Sequence, residues 1–107
     1  MLKGKNAIIT GARRGIGKAT VETFAKNGAN VWACARKYDE EFERDMMNIA
    51  EEYNVQIWPV YFDVTDESQI KEAILSIRKQ KIPVDVLVNV AGIAAMNPFP
   101  APTFLQR

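Results

Sequence analysis

Near the start of the chain, Thr10-Gly11-Ala12-Arg13-Arg14-Gly15-Ile16-Gly17 places three glycines and two arginines in the spacing G-x-x-x-G-x-G. Glycines permit a tight turn and let a ligand approach bare backbone N–H groups, while guanidiniums add positive charge. Such a stretch is suited to an anion, above all a phosphate. Other chemistry is narrowed by what the sequence lacks. It contains no histidine, which excludes a His general base, a His-containing triad and any His metal ligand. A single cysteine, Cys34, cannot form an internal disulfide, and with no histidine beside it no zinc site is expected. Cys34 sits in an apolar run, which marks a buried, inert thiol rather than a reactive one.

At 107 residues, with 48% hydrophobic and 25% charged content, the chain reads as one soluble globular domain. A net charge of +1 gives no electrostatic case for nucleic acid or an anionic membrane. No apolar stretch approaches the roughly 20 residues that a membrane span needs. The opening Met1–Gly11 is basic, but its apolar run is too short for a signal peptide. Together with the lone cysteine, these features fit a cytoplasmic protein.

The elements that must position the glycine loop alternate between strand and helix. Asn6–Thr10 is a short apolar run ending at a glycine, as a buried strand does. Gly15–Asn27 reads as a helix with Gly17, Val21, Phe24 and Ala25 on one stripe and Gly28 as its C-terminal cap. Asn30–Ala35 is apolar on both faces, as central parallel strands are. Asp39–Tyr53 is a second helix, with Phe42, Met46, Ile49, Ala50 and Tyr53 on one face. Val55–Phe62 is a third strand, and Pro59 within it argues for the sheet edge because proline cannot donate to the ladder. Thr65 or Asp66 caps a third helix, whose stripe is Ile70, Ala73, Ile74 and Ile77, and Val84–Val90 is a fourth strand. The pattern is an α/β chain with right-handed crossovers: a Rossmann-type parallel sheet, partial, with strand order 3-2-1-4 over residues 1–92. Pro98, Pro100 and Pro102 mark 93–107 as an irregular tail.

The glycine loop therefore lies at the first strand-to-helix junction, where free N–H groups and the helix dipole face outward. There Gly11 permits the turn, Gly15 lets a pyrophosphate near the backbone, and Gly17 lets the helix pack closely. The chain resembles the short-chain dehydrogenase/reductase family, whose glycine motif is T-G-x-x-x-G-x-G. Two further stretches carry the resemblance. Phe62–Asp66, FDVTD, resembles the family's D-V after the third strand, which implies that the Asp63 carboxylate accepts from an adenine amino group beside Val64. Asn89–Gly92, NVAG, resembles the family's N-N-A-G, with Val90 in place of the second Asn. Taken alone, Asp63 could be a turn residue and Asn89 could satisfy a strand end. In the family, an Asn at that place braces the central sheet and also lines the cofactor site. The pattern looks most like the 3-oxoacyl-(acyl-carrier-protein) reductase group. It implies cofactor contacts at Gly11, Arg13, Arg14, Gly15, Ile16, Gly17, Arg36, Lys37, Asp63, Val64, Asn89, Ala91 and Gly92.

The residue ending the second strand selects the nicotinamide cofactor: a carboxylate bonds the ribose 2′-OH of NAD, an arginine accommodates the 2′-phosphate of NADP. Here Arg36 and Lys37 stand at that place, and the first carboxylate is Asp39. Arg14 is the other position at which the family puts a basic residue for that phosphate. The expected cofactor is NADP(H), with Arg13 either exposed or near the pyrophosphate.

A full-length member of the family reduces a carbonyl or oxidises an alcohol by hydride transfer, using a Ser and a Tyr with a Lys four residues later. Four residues after Tyr38, Tyr53 and Tyr61 stand Phe42, Ile57 and Thr65, and both serines, Ser68 and Ser76, fall in the third helix. No catalytic residue can be carried over, and the tyrosines read as packing or surface residues. The expectation is a truncated family member, inactive alone, with a carbonyl, alcohol or acyl thioester as the substrate of its full-length relatives. The alternative is a stand-alone nucleotide-binding module. An apolar fourth strand left at an edge also predicts self-association.

Overall fold

The computed structural model describes residues 2–90. Ala91, Gly92 and the proline-rich segment 93–107 lie outside the described residues. In chain order the elements are β1 (Asn6–Thr10), α1 (Gly15–Lys26), β2 (Asn30–Ala35), α2 (Glu40–Tyr53), β3 (Ile57–Tyr61), α3 (Glu67–Lys79) and β4 (Val86–Asn89). The strands form one parallel sheet in the expected order, β3-β2-β1-β4. Pro59 sits opposite Ala33 on β3, which pairs only with β2 among the described residues, so its missing N–H costs no ladder bond on the outer side.

Side-chain alternation divides the core into two layers. Ala7 and Ile9 of β1 and Val31, Ala33 and Ala35 of β2 face α1 and α2, where they meet Val21, Ala25, Phe42, Met46 and Ile49. Their intervening neighbours Ile8, Trp32 and Cys34 face the other way and pack with Ile77 of α3 and Leu87 of β4. The first layer uses small strand residues, which lets two helices lie close to the sheet. The second is filled by one large residue, Trp32, which stacks on Trp58 at 4.9 Å between ring centroids. Its indole N–H finds a partner at the end of α3, donating to Gln80 Oε1 at 2.6 Å. The helix stripes read from the sequence face the core, with Phe24 of α1, Ala50 and Tyr53 of α2, and Ile70 and Ile74 of α3 only half-buried.

β3 and β4 are shorter than Val55–Phe62 and Val84–Val90, and before β3 two backbone N–H groups bond outside the ladder. Val55 N–H donates to the Ala50 carbonyl at the end of α2. Gln56 N–H donates to Asn30 Oδ1 at 2.9 Å. Asn30 in turn donates through Nδ2 to Asn6 Oδ1 at 3.0 Å, and Asn6 N–H donates to Asp85 Oδ2 at 2.8 Å. A continuous polar chain thus crosses the N-terminal ends of all four strands, Gln56–Asn30–Asn6–Asp85. A one-residue slip would break it and would also turn the apolar sets over.

Candidate functional site

The opposite, C-terminal end of the sheet carries the glycine loop. Gly11 and Gly15 have φ of +62° and +61°, in the left-handed region that disfavours side chains. A Cβ on Gly15 would project into open space, whereas one on Gly17 would overlap the carbonyl of Gly11. The first turn of α1 is consequently seated directly on the loop. Arg14 is the N-cap of α1 with extended backbone, makes no side-chain capping bond, and is followed by no acidic residue in the first turn. The other two helices differ. Asp39 accepts from Phe42 N–H at the start of α2, which also has Glu40, Glu41 and Glu43 in its first turn. Asp66, one of the two expected caps, accepts from Ser68 and Gln69 N–H at the start of α3. Among the described residues, only the glycine-loop helix has neither a side-chain cap nor an acidic residue in its first turn, the arrangement that suits a phosphate.

Beside the loop, between the ends of β2 and β3, lies a cleft of about 300 Å³ lined by Thr10, Gly11, Cys34, Ala35, Arg36, Phe62, Asp63, Val64 and Thr65. Its walls include the apolar side chains of Ala35, Phe62 and Val64, with Asp63 and Arg36 as the charged groups. Asp63 Oδ1 accepts from the N–H and the hydroxyl of Thr65 at 2.9 and 2.7 Å. Its Oδ2 pairs with Arg36 at 3.3 Å. The Thr65 bonds first, and Arg36 after them, hold the Asp63 carboxyl below its ordinary value. Cys34 is buried, and desolvation pushes its thiol up to about 12, so the inert reading holds.

On the other side of the loop, a second cleft of about 390 Å³ separates the starts of α1 and α2, with Arg13, Arg14, Gly15, Lys18 and Asp39 in its wall. Arg13 does not project freely from the loop: its Nε donates to Asp39 Oδ2 at 3.0 Å, and a terminal nitrogen pairs with the same oxygen. Asp39 thus ties the glycine loop to the start of α2 while capping that helix. The Arg13 bond is the main cause that lowers the Asp39 carboxyl, with the Phe42 N–H next. Lys18 of α1 adds a link to α2, pairing with Asp45 at 3.0 Å.

A family model for short chain dehydrogenases matches residues 5–104. The chain belongs to that family. It is 41% identical over 92 residues to a 3-oxoacyl-(acyl-carrier-protein) reductase of Thermotoga maritima, covering 86% of this chain and 37% of that protein. It is 38% identical over 93 residues to 2,3-dihydro-2,3-dihydroxybenzoate dehydrogenase of Bacillus subtilis, covering 86% and 34%. Among solved structures it resembles L-sorbose reductase from Gluconobacter frateurii, complexed with NADPH and L-sorbose, with a TM-score of 0.78 and 34% identity. That match covers 86% of this chain and 35% of the reductase. The chain spans about a third of the length of the relatives it matches.

This short-chain dehydrogenase sequence brings most of its expected site residues to one end of the sheet. Gly11, Arg36, Asp63 and Val64 line the first cleft, and Arg13, Arg14 and Gly15 line the second. Ile16 is 77% exposed at the start of α1 and Lys37 is exposed after β2; neither lines these two clefts. Asn89 ends β4, where its Oδ1 accepts from the Thr10 hydroxyl at 2.8 Å. That bond ties β1 to β4. Ala91 and Gly92 fall outside the described residues. Three residues were named in the sequence but given no place in the site: Thr10, Thr65, which orients Asp63, and Asp39, which holds Arg13. The Asp-x-Thr spacing of 63–65 is an Asx-turn signal that could have indicated Thr65, but nothing local indicates the Arg13–Asp39 pairing. The tyrosines behave as packing or surface groups: Tyr38 is 65% exposed, Tyr53 packs against the first core layer, and the Tyr61 hydroxyl donates to Glu43.

Proposed function

We propose that this chain is the adenine-side part of an NADP(H)-dependent short-chain oxidoreductase, within the branch that includes 3-oxoacyl-(acyl-carrier-protein) reductases. The observation that carries the reading is the charge at the C-terminal end of β2: Arg36 lines the first cleft, Lys37 follows, and the first carboxylate after β2, Asp39, is engaged by Arg13. A solved relative that holds NADPH, and another, an alcohol dehydrogenase of Thermococcus sibiricus, that holds 5-hydroxy-NADP, support the same choice.

When bound, the nicotinamide supplies hydride for carbonyl reduction or accepts it in alcohol oxidation. This chain's own residues bind and orient. The first cleft takes the adenine, with Asp63 as acceptor for its amino group. The start of α1 and the N–H groups of the glycine loop take the pyrophosphate. Arg14 and Arg36 take the 2′-phosphate through charge-assisted bonds. No tyrosine here has a lysine four residues later. The chain alone is therefore expected to bind the cofactor without reducing an acetoacetyl thioester, for want of a group to protonate the product alkoxide.

Calorimetric titration of NADPH and NADH tests the assignment. NADPH should bind more tightly by roughly 5–30-fold, which is what about 1–2 kcal/mol at an exposed rim provides. Arg36→Asp should reverse the order. Equal affinities that the substitution leaves unchanged would reduce Arg36 to a surface charge.

A further inference from the structure

The geometry points to Asp63 as a specificity-determining residue that restrains Arg36 and thereby limits recognition of a ligand's 2′-phosphate. The inference rests on the NADP(H) reading above and concerns how strongly that preference is expressed. Both residues line the same cleft, one from the end of β2 and one from the turn after β3. The carboxylate is the fixed member of the pair. Its Oδ1 accepts two bonds from Thr65. Its own N–H donates to Gln69 Oε1 at 2.8 Å, and its carbonyl accepts from Asp66 N–H. Oδ2 remains, and Arg36 is on it at 3.3 Å.

Arg36 is the movable member, with its side chain 75% exposed against 24% for Asp63. A guanidinium that swings to a 2′-phosphate must leave Oδ2, so the phosphate competes with Asp63 for the same cation. A ligand without that phosphate leaves the pair intact. The restraint therefore subtracts from the affinity for 2′-phosphorylated nucleotides alone and does so through Arg36.

Replacing Asp63 by Asn removes the charge but retains an Oδ1 that can accept from Thr65, so the turn is preserved. The probes are 2′,5′-ADP and 5′-AMP, titrated calorimetrically into the wild-type chain, Asp63→Asn, Arg36→Gln and the double variant. The preference for 2′,5′-ADP should rise roughly two- to five-fold in Asp63→Asn, the range of an exposed ion pair. In the Arg36→Gln background, Asp63→Asn should leave the preference unchanged. A gain of equal size without Arg36 would show simple repulsion between Asp63 and the phosphate and would overturn the restraint. A wild-type preference that Asp63→Asn does not alter would overturn it while leaving the NADP(H) reading standing. No preference in either wild type or Asp63→Asn would overturn both.

Discussion

A Cβ built on Gly17 lies 1.8 Å from the carbonyl oxygen of Gly11, and 2.5 Å from its carbon. Both atoms are backbone, so neither can rotate away, and any side chain at Gly17 must push α1 off the loop that it is seated on.

Gly17→Ala is therefore expected to lower stability by at least the roughly 1–3 kcal/mol of ordinary overpacking, and to weaken nucleotide binding by displacing the first turn of α1. Gly15→Ala is the comparator. It has open space and bears only the left-handed backbone, costing roughly 1–2 kcal/mol. Urea denaturation of both variants checks the order. A Gly17→Ala chain as stable as wild type would mean that α1 and the loop are not in contact as described.

The polar chain at the opposite end of the sheet makes its own prediction. Asn30→Ala leaves Asn6 Oδ1 and Gln56 N–H without their partner. The expected loss is roughly 1–2 kcal/mol, since one of the two bonds is exposed, with an unchanged circular dichroism spectrum. A loss no larger than that of an exposed alanine substitution such as Glu72→Ala would show that the chain of amides does not hold the strands.

Cys34 contributes to the alkaline limb, beside Tyr61 and Tyr53, whose phenols burial also pushes up. The buried thiol is held up at about 12 from an ordinary value of 9.0. Its neutral form is thus fully stabilising below pH 9, and that contribution is lost as pH rises through the interval, because the unfolded thiol ionises first. The slope is roughly 1 kcal/mol per pH unit. Cys34→Ala should reduce the loss of stability between pH 9 and 11, most clearly below pH 10, where the tyrosines have not begun to contribute, and native Cys34 should resist iodoacetamide until the chain unfolds. Rapid alkylation of the folded chain at pH 8 would contradict the burial.

Asp39 and Asp63 set the acid limb. Both carboxyls are held below the ordinary 3.8, so their contributions are complete above that value and disappear as pH falls through the lowered ones. Asp39→Asn keeps an acceptor for the α2 cap and should cost less than Asp39→Ala, which loses the cap as well, worth about 1 kcal/mol. Equal melting temperatures for the two variants would separate the cap from the stability of α2.

Among the described residues β4 pairs with β1 alone, and its Val86 and Val88 are half-buried. An apolar edge of this kind templates further strand pairing. The chain is expected to self-associate, visible as concentration-dependent sedimentation; a monomer at every concentration tested would refute it.

The sequence by itself determined the elements and their order, because the signals are local. Alternation places Ile8 and Ile9 on opposite faces, the stripes of Val21–Ala25 and Phe42–Ile49 choose the buried side of two helices, and Pro59 assigns its strand to an edge. The single handedness of parallel crossovers then leaves few topologies, and the glycine loop falls at the first junction in any of them. Only the tertiary structure decided which charges meet. Arg13 and Arg14 are neighbours in sequence, yet Arg13 is drawn to Asp39, 26 residues away, while Arg14 caps α1 with no side-chain bond. Arg36 faces Asp63 because β2 and β3 are adjacent, and Thr10 meets Asn89 because β1 and β4 are. Side-chain pairing depends on which strand ends stand side by side, and periodicity within one element carries no information about that.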